Sequence, residues 1–575
     1  MGLLQNQPRR MLEELRGLKS LSGSVRWLEL GKWSRVDDGG LAVSFRLTVF
    51  AKTYDGTLGY PGFFPDTPAY IEPRKKGQSW SSHQYGGGRG VLCLEHGPDN
   101  WHPSVSGVDL LLSLEKLLTN EVVAEALKTR ASTSSRHEEA PGARLRFENT
   151  RLVLTRELRE LCNGAIDGEC IRVRARTGMA GNSMRALVTH WGDEAAPLTD
   201  LPSDLVEFGI QRDGWLVCDA RLAHLPLATK PDLVGHFLDR IDRWPWDAGL
   251  PEGESRVLML MAPGGSPRFF LAGGGLELAL TEYAIADFSD DDVRRLPSEY
   301  SSIGEAPVAV VGLGSVGSKV AVSLARSGVR RFLLLDDDVL APQNLVRHQL
   351  SWRDVGVHKV DAIKAELNLV APGVSVVAKQ WRVAGQENPK IAAEVLGLLS
   401  ECQLVVDATA DARVFTALAA VCRRANSVIV WGELFPGGGG ALMARSRPGA
   451  DADALSVRNH IYASIADFPP APDKRATSYD DTERGAVVVA GDADVSALAA
   501  SMTQFALDAL LPAAHSQYPF AAYLMGYKKY WVFDQPFVTL PIDCAGALVP
   551  KDPEAPLTAE ERDALMQFEA VLGKG

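Results

Sequence analysis

The sequence predicts an α/β protein in three parts: an N-terminal α+β domain, a central domain of mixed type and a C-terminal α/β domain. Three observations support this division. A helical pattern, a strand, a proline-rich turn, a cysteine and an apolar helix follow one another within residues 1–130. Residues 131–144 are polar, with few groups able to pack, which is typical of a linker. A β-branched run from residue 308 leads glycines into a helix, so we predict further domains at 145–298 and 299–575.

Composition fits a protein of a reducing compartment. The 575 residues are 46% apolar, and at ~100–200 residues per domain this length predicts three or four domains. The seven cysteines are irregularly spaced and no apolar signal region begins the chain, so we expect free thiols and a cytoplasmic location. The net charge of -12 disfavours nucleic acid as a partner. The apolar stretch 495–514 contains Thr503, Gln504 and Asp508, which predicts a packed helix and no membrane span.

The N-terminal domain has a cysteine with informative neighbours. Residues 8–20 have the pattern of an amphipathic helix, 41–54 that of a strand and 108–118 that of an apolar helix. His83 stands ten residues before Cys93, and the Trp-x-Pro motif of Trp101 and Pro103 begins eight residues after it. This layout resembles the catalytic loop of ubiquitin-conjugating enzymes, in which a His-Pro-Asn motif precedes the cysteine and a Trp-Ser-Pro motif follows it.

The resemblance implies that Cys93 carries an acyl group as a thioester. A free thiol has a pKa of ~8.5, so part of it is thiolate at neutral pH without a dedicated base. The family's oxyanion-stabilising Asn would fall at Tyr85, and Gln84 replaces the Pro. Tyr85, Asn100 and His102 are candidates for the missing donor by proximity in the sequence. The alternative is that Cys93 is a buried apolar cysteine, which is common in protein cores.

The C-terminal domain begins with a Gly-rich turn. Gly312, Gly314 and Gly317 form a G-x-G-x-x-G motif between a predicted strand and a helix that reaches about residue 327. Such glycines let the backbone approach phosphates, and the helix N-terminus supplies N–H donors. The next strand, 331–338, ends in acids able to bind ribose, so these features alone would also fit a dinucleotide oxidoreductase with a Rossmann-like fold.

The residues that follow favour adenylation. An Asn-Leu-x-Arg motif, Asn344 to Arg347, begins eight residues after Asp336, and a Gly-x-x-Lys motif ends at Lys359. This order resembles the adenylation domains of ubiquitin-activating enzymes and of the ThiF and MoeB sulfur-carrier activators. The resemblance implies that Asp336 holds the ribose of ATP and that Arg347 and Lys359 contact its phosphates. Asn344 would hold the nucleotide or its loop.

Two aspartates are candidates for the Mg²⁺ that accompanies ATP in this family. Asp407 and Asp411 follow a predicted strand, as the family's metal-binding aspartate does, but Ala410 stands where a second acid is usual. Either aspartate could therefore bind the metal. Paired Cys-x-x-Cys motifs are absent, so we expect no structural zinc.

Activating enzymes that pass on a modifier usually have an acyl-accepting cysteine of their own. Cys544 is the candidate, because its Pro and Asp neighbours suggest a loop. Thr477 or Ser478 could instead accept the acyl group as an oxyester, or the adenylate could react directly with Cys93. These alternatives stay open.

Together the two resemblances imply a fused activating and conjugating enzyme, similar to those of bacterial anti-phage operons. In CBASS systems of this kind the conjugated protein is a cGAS-like nucleotidyltransferase, and in related operons it is a ubiquitin-like protein. The expected partners are such a C-terminus, an amine of a target protein and a second copy of the chain, since ThiF-type domains are generally homodimers. Two alternatives are a ThiF-type sulfur-carrier activator with a docking domain, and a non-catalytic partner-binding module.

Overall fold

The computed structural model describes most of the chain, in two compact units, 1–144 and 145–575. The described residues are 2–75, 77–81, 83–85, 90–127, 145, 148–193, 196–199, 201, 209–225, 231–245, 250–274, 279–287, 296–371, 373–385, 388–466, 468–469, 490–545, 558–559, 562–563 and 565–566. Within these ranges no helix is long and apolar enough to cross a bilayer. The division of the second unit into domains at 298/299 stays a prediction.

The regular elements of the described residues follow in chain order. The α-helices are α1 (Leu3–Asn6), α2 (Pro8–Ser24), α3 (Gly107–Leu127), α4 (Arg156–Gly164), α5 (Pro231–Ile241), α6 (Ser315–Arg326), α7 (Lys359–Val370), α8 (Pro389–Ser400), α9 (Ala412–Ala425), α10 (Ala454–Ile465) and α11 (Asp492–Leu510). The strands are β1 (Leu28–Arg35), β2 (Leu41–Val49), β3 (Lys52–Tyr60), β4 (Tyr70–Pro73), β5 (Thr150–Leu154), β6 (Cys170–Ala180), β7 (Ser183–Trp191), β8 (Ala196–Pro197), β9 (Ile210–Cys218), β10 (Ser255–Met261), β11 (Arg268–Gly273), β12 (Ala279–Asp287), β13 (Pro307–Val311), β14 (Arg331–Leu335), β15 (Ser375–Lys379), β16 (Leu404–Asp407), β17 (Val428–Leu434), β18 (Gly440–Ser446), β19 (Ala522–Gly526) and β20 (Val538–Ile542).

The N-terminal unit is an antiparallel meander, β1-β2-β3-β4, packed against α2 and α3. Val43, Phe45 and Leu47 of β2 are buried at every second position, as expected for a sheet with one covered face. The helices predicted at 8–20 and 108–118 are confirmed as parts of α2 and α3. The single strand predicted at 41–54 is wrong, because Phe50 adopts a φ of 52° and turns the chain between β2 and β3.

The central sheet closes on itself. Its strands lie in the order β5-β12-β11-β10-β9-β6-β7-β8, and β5 also pairs with β7, so seven of these strands form a barrel. Apolar side chains such as Val257, Met259 and Phe269 form one buried cluster within it. Strands β10 and β11 form an antiparallel pair within it.

The C-terminal sheet confirms the Rossmann-like prediction. Five parallel strands lie in the order β15-β14-β13-β16-β17, and β18, β19 and β20 extend them antiparallel. Helices α6, α7 and α11 cover one face, and α8, α9 and α10 cover the other. The strand order reverses between β13 and β16, where open α/β sheets leave a crevice at the carboxyl ends of their strands. A ligand site is therefore expected where β13 and β16 end.

Candidate nucleotide site and cysteine loop

The Gly-rich turn lies between β13 and α6, at the reversal of strand order. Gly312 has a φ of 81°, and a Cβ there would come 2.7 Å from Thr409 Cγ2. A Cβ on Gly317 would lie 1.8 Å from the carbonyl oxygen of Gly312. No described atom outside its chain neighbours comes within 4 Å of a Cβ on Gly314. Packing within the protein thus requires the first and third glycines, whereas Gly314 borders open space that a ligand could occupy.

The N-terminus of α6 faces the same space. Gly314 is its N-cap residue and supplies no side-chain hydrogen bond to the first turn. The first N–H groups of a helix have no partner within the helix, and together with the helix dipole they favour an anion. The turn and the helix end are therefore suited to a phosphate group.

Asp336 follows β14 and is fixed against the Gly-rich turn. Its Oδ2 accepts a hydrogen bond from Leu313 N at 2.6 Å, and its Oδ1 accepts one from Asp338 N at 2.8 Å. Burial raises the pKa of this carboxyl, and the N–H donors and the charge of Lys359 oppose the rise. The predicted ribose ligand is thus a preformed acceptor beside the predicted phosphate site.

The two predicted phosphate-binding cations lie on successive segments after Asp336. Lys359 is the first residue of α7, is 6% exposed, and places its Nζ 2.5 Å from Asp338 Oδ2. Arg347 is half-buried after a 3₁₀ turn at Pro342–Val346, and burial lowers the pKa of its guanidinium. A desolvated cation is stabilised by an anion, so both residues retain the character expected of phosphate ligands.

Asn344 and His348 shape the loop that carries Arg347. The side-chain oxygen of Asn344 accepts a hydrogen bond from Ala341 N at 2.9 Å and caps the 3₁₀ turn. His348, which sequence reasoning missed, bridges this loop to the Gly-rich turn: its Nε2 lies 2.8 Å from Leu313 O, and its Nδ1 accepts from Leu350 N at 3.2 Å. Burial lowers the pKa of His348, consistent with a neutral ring that donates through Nε2. Its position one residue after Arg347 was the available signal.

The two aspartates proposed for Mg²⁺ differ in their surroundings. Asp411 is the N-cap of α9, and both of its carboxylate oxygens accept hydrogen bonds from Arg413, which with the capping bonds hold its pKa down at about 2. Asp407 ends β16 and is buried, and its Oδ1 accepts hydrogen bonds from the N–H and hydroxyl of Thr409. Burial raises the pKa of Asp407, against these bonds and the charge of Arg458.

A small cavity of about 20 Å³ is lined by Asp407, Asp411, Trp431 and Arg458 among others. A cavity needs roughly 10–15 Å³ to admit one water, so this one suits a single water or small ion and not a nucleotide. No group of three or more His, Cys, Asp or Glu side chains among the described residues is placed to hold a metal. Mg²⁺ bound with a nucleotide needs only one or two carboxylates, since phosphates and waters complete its shell. Asp407 fits that requirement better than Asp411.

Cys93 lies on a short hairpin in the N-terminal unit. Gln84 pairs with Leu92 as an antiparallel bridge, Tyr85 N donates to Val91 O at 2.9 Å, and Cys93 N donates to His83 O at 2.7 Å. Because side chains alternate between the two faces of a β-ladder, Tyr85 and Cys93 share one face and Gln84 takes the other. The thiol is half-buried.

The residues that depart from the conjugating-enzyme pattern each have a structural role. Gln84, at the Pro position, accepts hydrogen bonds from Trp80 N and Ser81 N and donates to the carbonyl of Gly90, which fixes the loop. Tyr85, at the Asn position, hydrogen-bonds Cys93. Its pKa is raised first by burial, then by the charges of the Cys93 thiolate and Asp99, and by that hydrogen bond.

The other two donor candidates have partners within their own loop. The amide of Asn100 donates to Glu95 O at 2.9 Å and its oxygen accepts from Gly97 N at 2.8 Å. His102 Nδ1 contacts Ser104 Oγ at 2.7 Å. Of the three candidate side chains, Tyr85 interacts with the thiol.

The cysteines next to the C-terminal sheet do not offer an accessible alternative nucleophile. Cys544 is 4% exposed, within the core that faces α9, and burial raises its pKa to about 11. Cys544 follows β20 outside regular structure, as its neighbours suggest, but its burial disfavours it as an acyl acceptor, because the thiolate is the nucleophile. Cys402 and Cys422 are buried too, as core cysteines should be. Thr477 and Ser478 lie outside the described residues.

Comparison with known proteins identifies the C-terminal region. The ThiF family matches residues 282–504. The C-terminal region therefore contains a Rossmann-like domain similar to the ThiF family. The Gly-rich turn, Asp336, Lys359 and Asp407 lie within the matched residues.

Relatives share stretches of this chain. It is 41% identical over 134 residues to the uncharacterized protein y4qC of Sinorhizobium fredii, which is 22% of this chain. It is 29% identical over 144 residues, 25% of the chain, to the ATP-dependent ubiquitin transferase-like protein Cap2 of Enterobacter hormaechei. It is 34% identical over 91 residues, 16% of the chain, to the ubiquitin-like modifier-activating enzyme 5 of Aedes aegypti. The chain spans 23% of the length of each of these three relatives.

Proposed function

We propose that this protein uses ATP to adenylate the C-terminal carboxylate of a protein modifier and passes the acyl group through Cys93 to an amine. The observation that carries the first half is the convergence of Gly314, Asp336 and Lys359 where the parallel strands end, within a ThiF domain. Sequence similarity to the ubiquitin transferase-like protein Cap2 and to ubiquitin-like modifier-activating enzyme 5 supports the same chemistry.

In adenylation, the modifier carboxylate attacks the α-phosphate of ATP, an acyl–phosphate bond forms, and pyrophosphate leaves. The N–H groups at the start of α6 contact the phosphates, and Asp336 accepts hydrogen bonds from the ribose hydroxyls. Arg347 and Lys359 offset the negative charge that builds up on the phosphates as the bond breaks. Lys359 reaches the phosphates by exchanging its contact with Asp338.

Asp407 would hold Mg²⁺, which neutralises phosphate charge when bound. Its burial is unfavourable for a carboxylate alone, and a cation is the partner that offsets it. Asp411 instead caps α9 and keeps the loop between β16 and α9 in place.

The second half of the reaction belongs to Cys93. Its thiolate attacks the acyl carbonyl of the adenylate, a thioester forms, and AMP leaves. A target amine then attacks the thioester, an amide forms, and the thiol is restored by a proton from that amine. Tyr85 donates a hydrogen bond to the sulfur or to the oxyanion, in place of the usual Asn.

The proposal includes a homodimer formed through the ThiF domain. Val346 is 71% exposed and Trp352 is 72% exposed, and Val357 is also exposed within the same segment. Exposed apolar groups clustered on one segment are typical of protein interfaces. By similarity to anti-phage conjugation systems, we further propose as modifier a ubiquitin-like protein or the C-terminus of a cGAS-like nucleotidyltransferase.

The proposal is tested by mass spectrometry of the full chain incubated with ATP, Mg²⁺ and each small protein encoded beside its gene, before and after reductant. We expect a reductant-labile adduct on the wild-type chain and on Cys544→Ala, and none on Cys93→Ala. An adduct that survives Cys93→Ala removes Cys93 from the reaction. Pyrophosphate release without an adduct would restrict the activity to adenylation, and no pyrophosphate release with any partner would refute the proposal.

A further inference from the structure

A cavity of about 380 Å³ lies beside Cys93 in the N-terminal unit. Its walls come from the turn after β3, from β4, from the hairpin and from residues 96–98. Pockets that bind small ligands begin at about 300 Å³, and a cavity of about 150 Å³ already admits benzene. The space is therefore large enough for an aromatic or a branched apolar side chain.

The walls of this cavity are suited to an uncharged occupant. Phe63, Ile71 and Leu94 line it, and no Lys, Arg, Asp or Glu is among its lining residues in the described ranges. Phe63 is 80% exposed, so an aromatic ring is held in water at the edge of the cavity. A charged group that entered would lose hydration and would meet no Lys, Arg, Asp or Glu among the described lining residues, whereas an apolar group would gain contacts.

The cavity and the thiol share their surroundings. Val91, which projects from the same face of the hairpin as Cys93, lines the cavity. Tyr85 lines it as well and hydrogen-bonds Cys93. A polypeptide joined to the sulfur therefore starts at the edge of the cavity.

We propose that this cavity binds an apolar side chain, aromatic by preference, from the last few residues of the polypeptide that Cys93 carries. The inference rests on the proposed role of Cys93 as an acyl carrier and adds a specificity site to it. The polypeptide on Cys93 is tethered, so its side chain is present at a high effective concentration from loading until discharge. An acceptor lysine would instead bring its ammonium group to a wall whose described residues include no carboxylate.

The test uses synthetic peptide thioesters of mercaptoethanesulfonate with the full chain and no ATP. The Cys93 thiolate attacks the thioester carbonyl, the new carbon–sulfur bond forms, and mercaptoethanesulfonate leaves as a thiolate while the Cys93 proton passes to solvent. Acetyl-Phe-Gly-Gly and acetyl-Ser-Gly-Gly thioesters are compared, and Phe is also placed one or two residues nearer the carbonyl. Site-resolved mass spectrometry gives the loading rate at Cys93, with the exposed Cys170 as the reference for intrinsic reactivity.

We expect at least one Phe peptide to load Cys93 about tenfold faster than the Ser peptide. Phe63→Ala should reduce this preference about three- to tenfold, because aromatic contacts of this kind are lost. Phe50→Ala is the matched control, since Phe50 is exposed in the same unit but does not line the cavity. Both variants remove exposed rings, so the fold is retained.

Equal loading of the Phe and Ser peptides at every position would overturn the proposal. If, in addition, Cys93 discharged faster to benzylamine than to ethanolamine, the cavity would serve the acceptor amine. The measurement needs neither ATP nor the natural modifier. A failure of ATP-dependent charging would therefore refute the proposed function while leaving the peptide preference in place, and the reverse result would refute only the cavity.

Discussion

Gly314 offers the sharpest test of the nucleotide site, because its replacement separates ligand binding from folding. We expect Gly314→Ala to weaken ATP binding while the protein stays folded. No described atom outside its chain neighbours would meet the added Cβ within 4 Å, and the φ of -71° is accessible to alanine. The change at an N-cap costs about 0.5–1 kcal/mol.

The size of the binding effect follows from the contacts that a methyl group would prevent. A phosphate held away from the N-terminus of α6 loses hydrogen bonds to a charged group, each contributing about 1.5–3 kcal/mol. This corresponds to an increase of about 10- to 100-fold in the Kd for ATP.

Calorimetric titration with ATP and Mg²⁺, beside a thermal melt, measures both quantities. Gly317→Ala is the contrasting variant, because its Cβ would lie 1.8 Å from the carbonyl oxygen of Gly312. Forcing that contact apart should cost about 1–3 kcal/mol of stability and lower the Tm. Unchanged ATP affinity in a folded Gly314→Ala protein would refute the phosphate site described above.

Three further outcomes are expected. Asp407→Asn should abolish pyrophosphate release yet raise the Tm at neutral pH. Burial raises the pKa of Asp407 in the folded state, so its carboxylate destabilises the fold once the pH exceeds the unfolded-state pKa of about 3.9. A rise in Tm confined to lower pH values would contradict this reasoning. Tyr85→Phe should slow thioester formation or discharge at Cys93 about 10²- to 10³-fold in stopped-flow assays, with Tyr70→Phe, on the same cavity, as the unaffected control. Trp352→Asp should convert a dimer to monomers in sedimentation experiments, whereas Phe537→Asp, at a still more exposed aromatic residue, should not.

Local patterns were enough to predict the helices and the chemistry-bearing loops. The G-x-G-x-x-G turn could be read because close backbone approach at Gly317 and positive φ at Gly312 demand glycine from residues a few positions apart. The apolar periodicity of residues 8–20 and 108–118 predicted helices, because a helix depends on residues that lie close together in the chain. Asp336 became the candidate ribose ligand because the strand after the turn ends in acids.

Side-chain orientation could not be predicted in the same way. The neighbours of Cys544 predicted a loop, but they gave no sign that the thiol is buried in a core cluster that also contains side chains of β16, β17 and α9. Asp407 and Asp411 were equivalent in sequence, and the turn between β16 and α9 decided that Asp411 caps the helix while Asp407 is buried. The chain reversal at Phe50 likewise depends on pairing between β2 and β3.

By itself, then, the sequence predicted several helices, the Gly-rich turn between a strand and a helix, and the loop that carries Cys93, because spacing and backbone conformation are local properties. The tertiary structure alone decided that β5 closes the central barrel against β7 and β12, that Tyr85 faces the thiol, and that a cavity lies beside it. Those features arise where segments far apart in the chain meet, and contacts of that kind leave no periodic signal in the sequence.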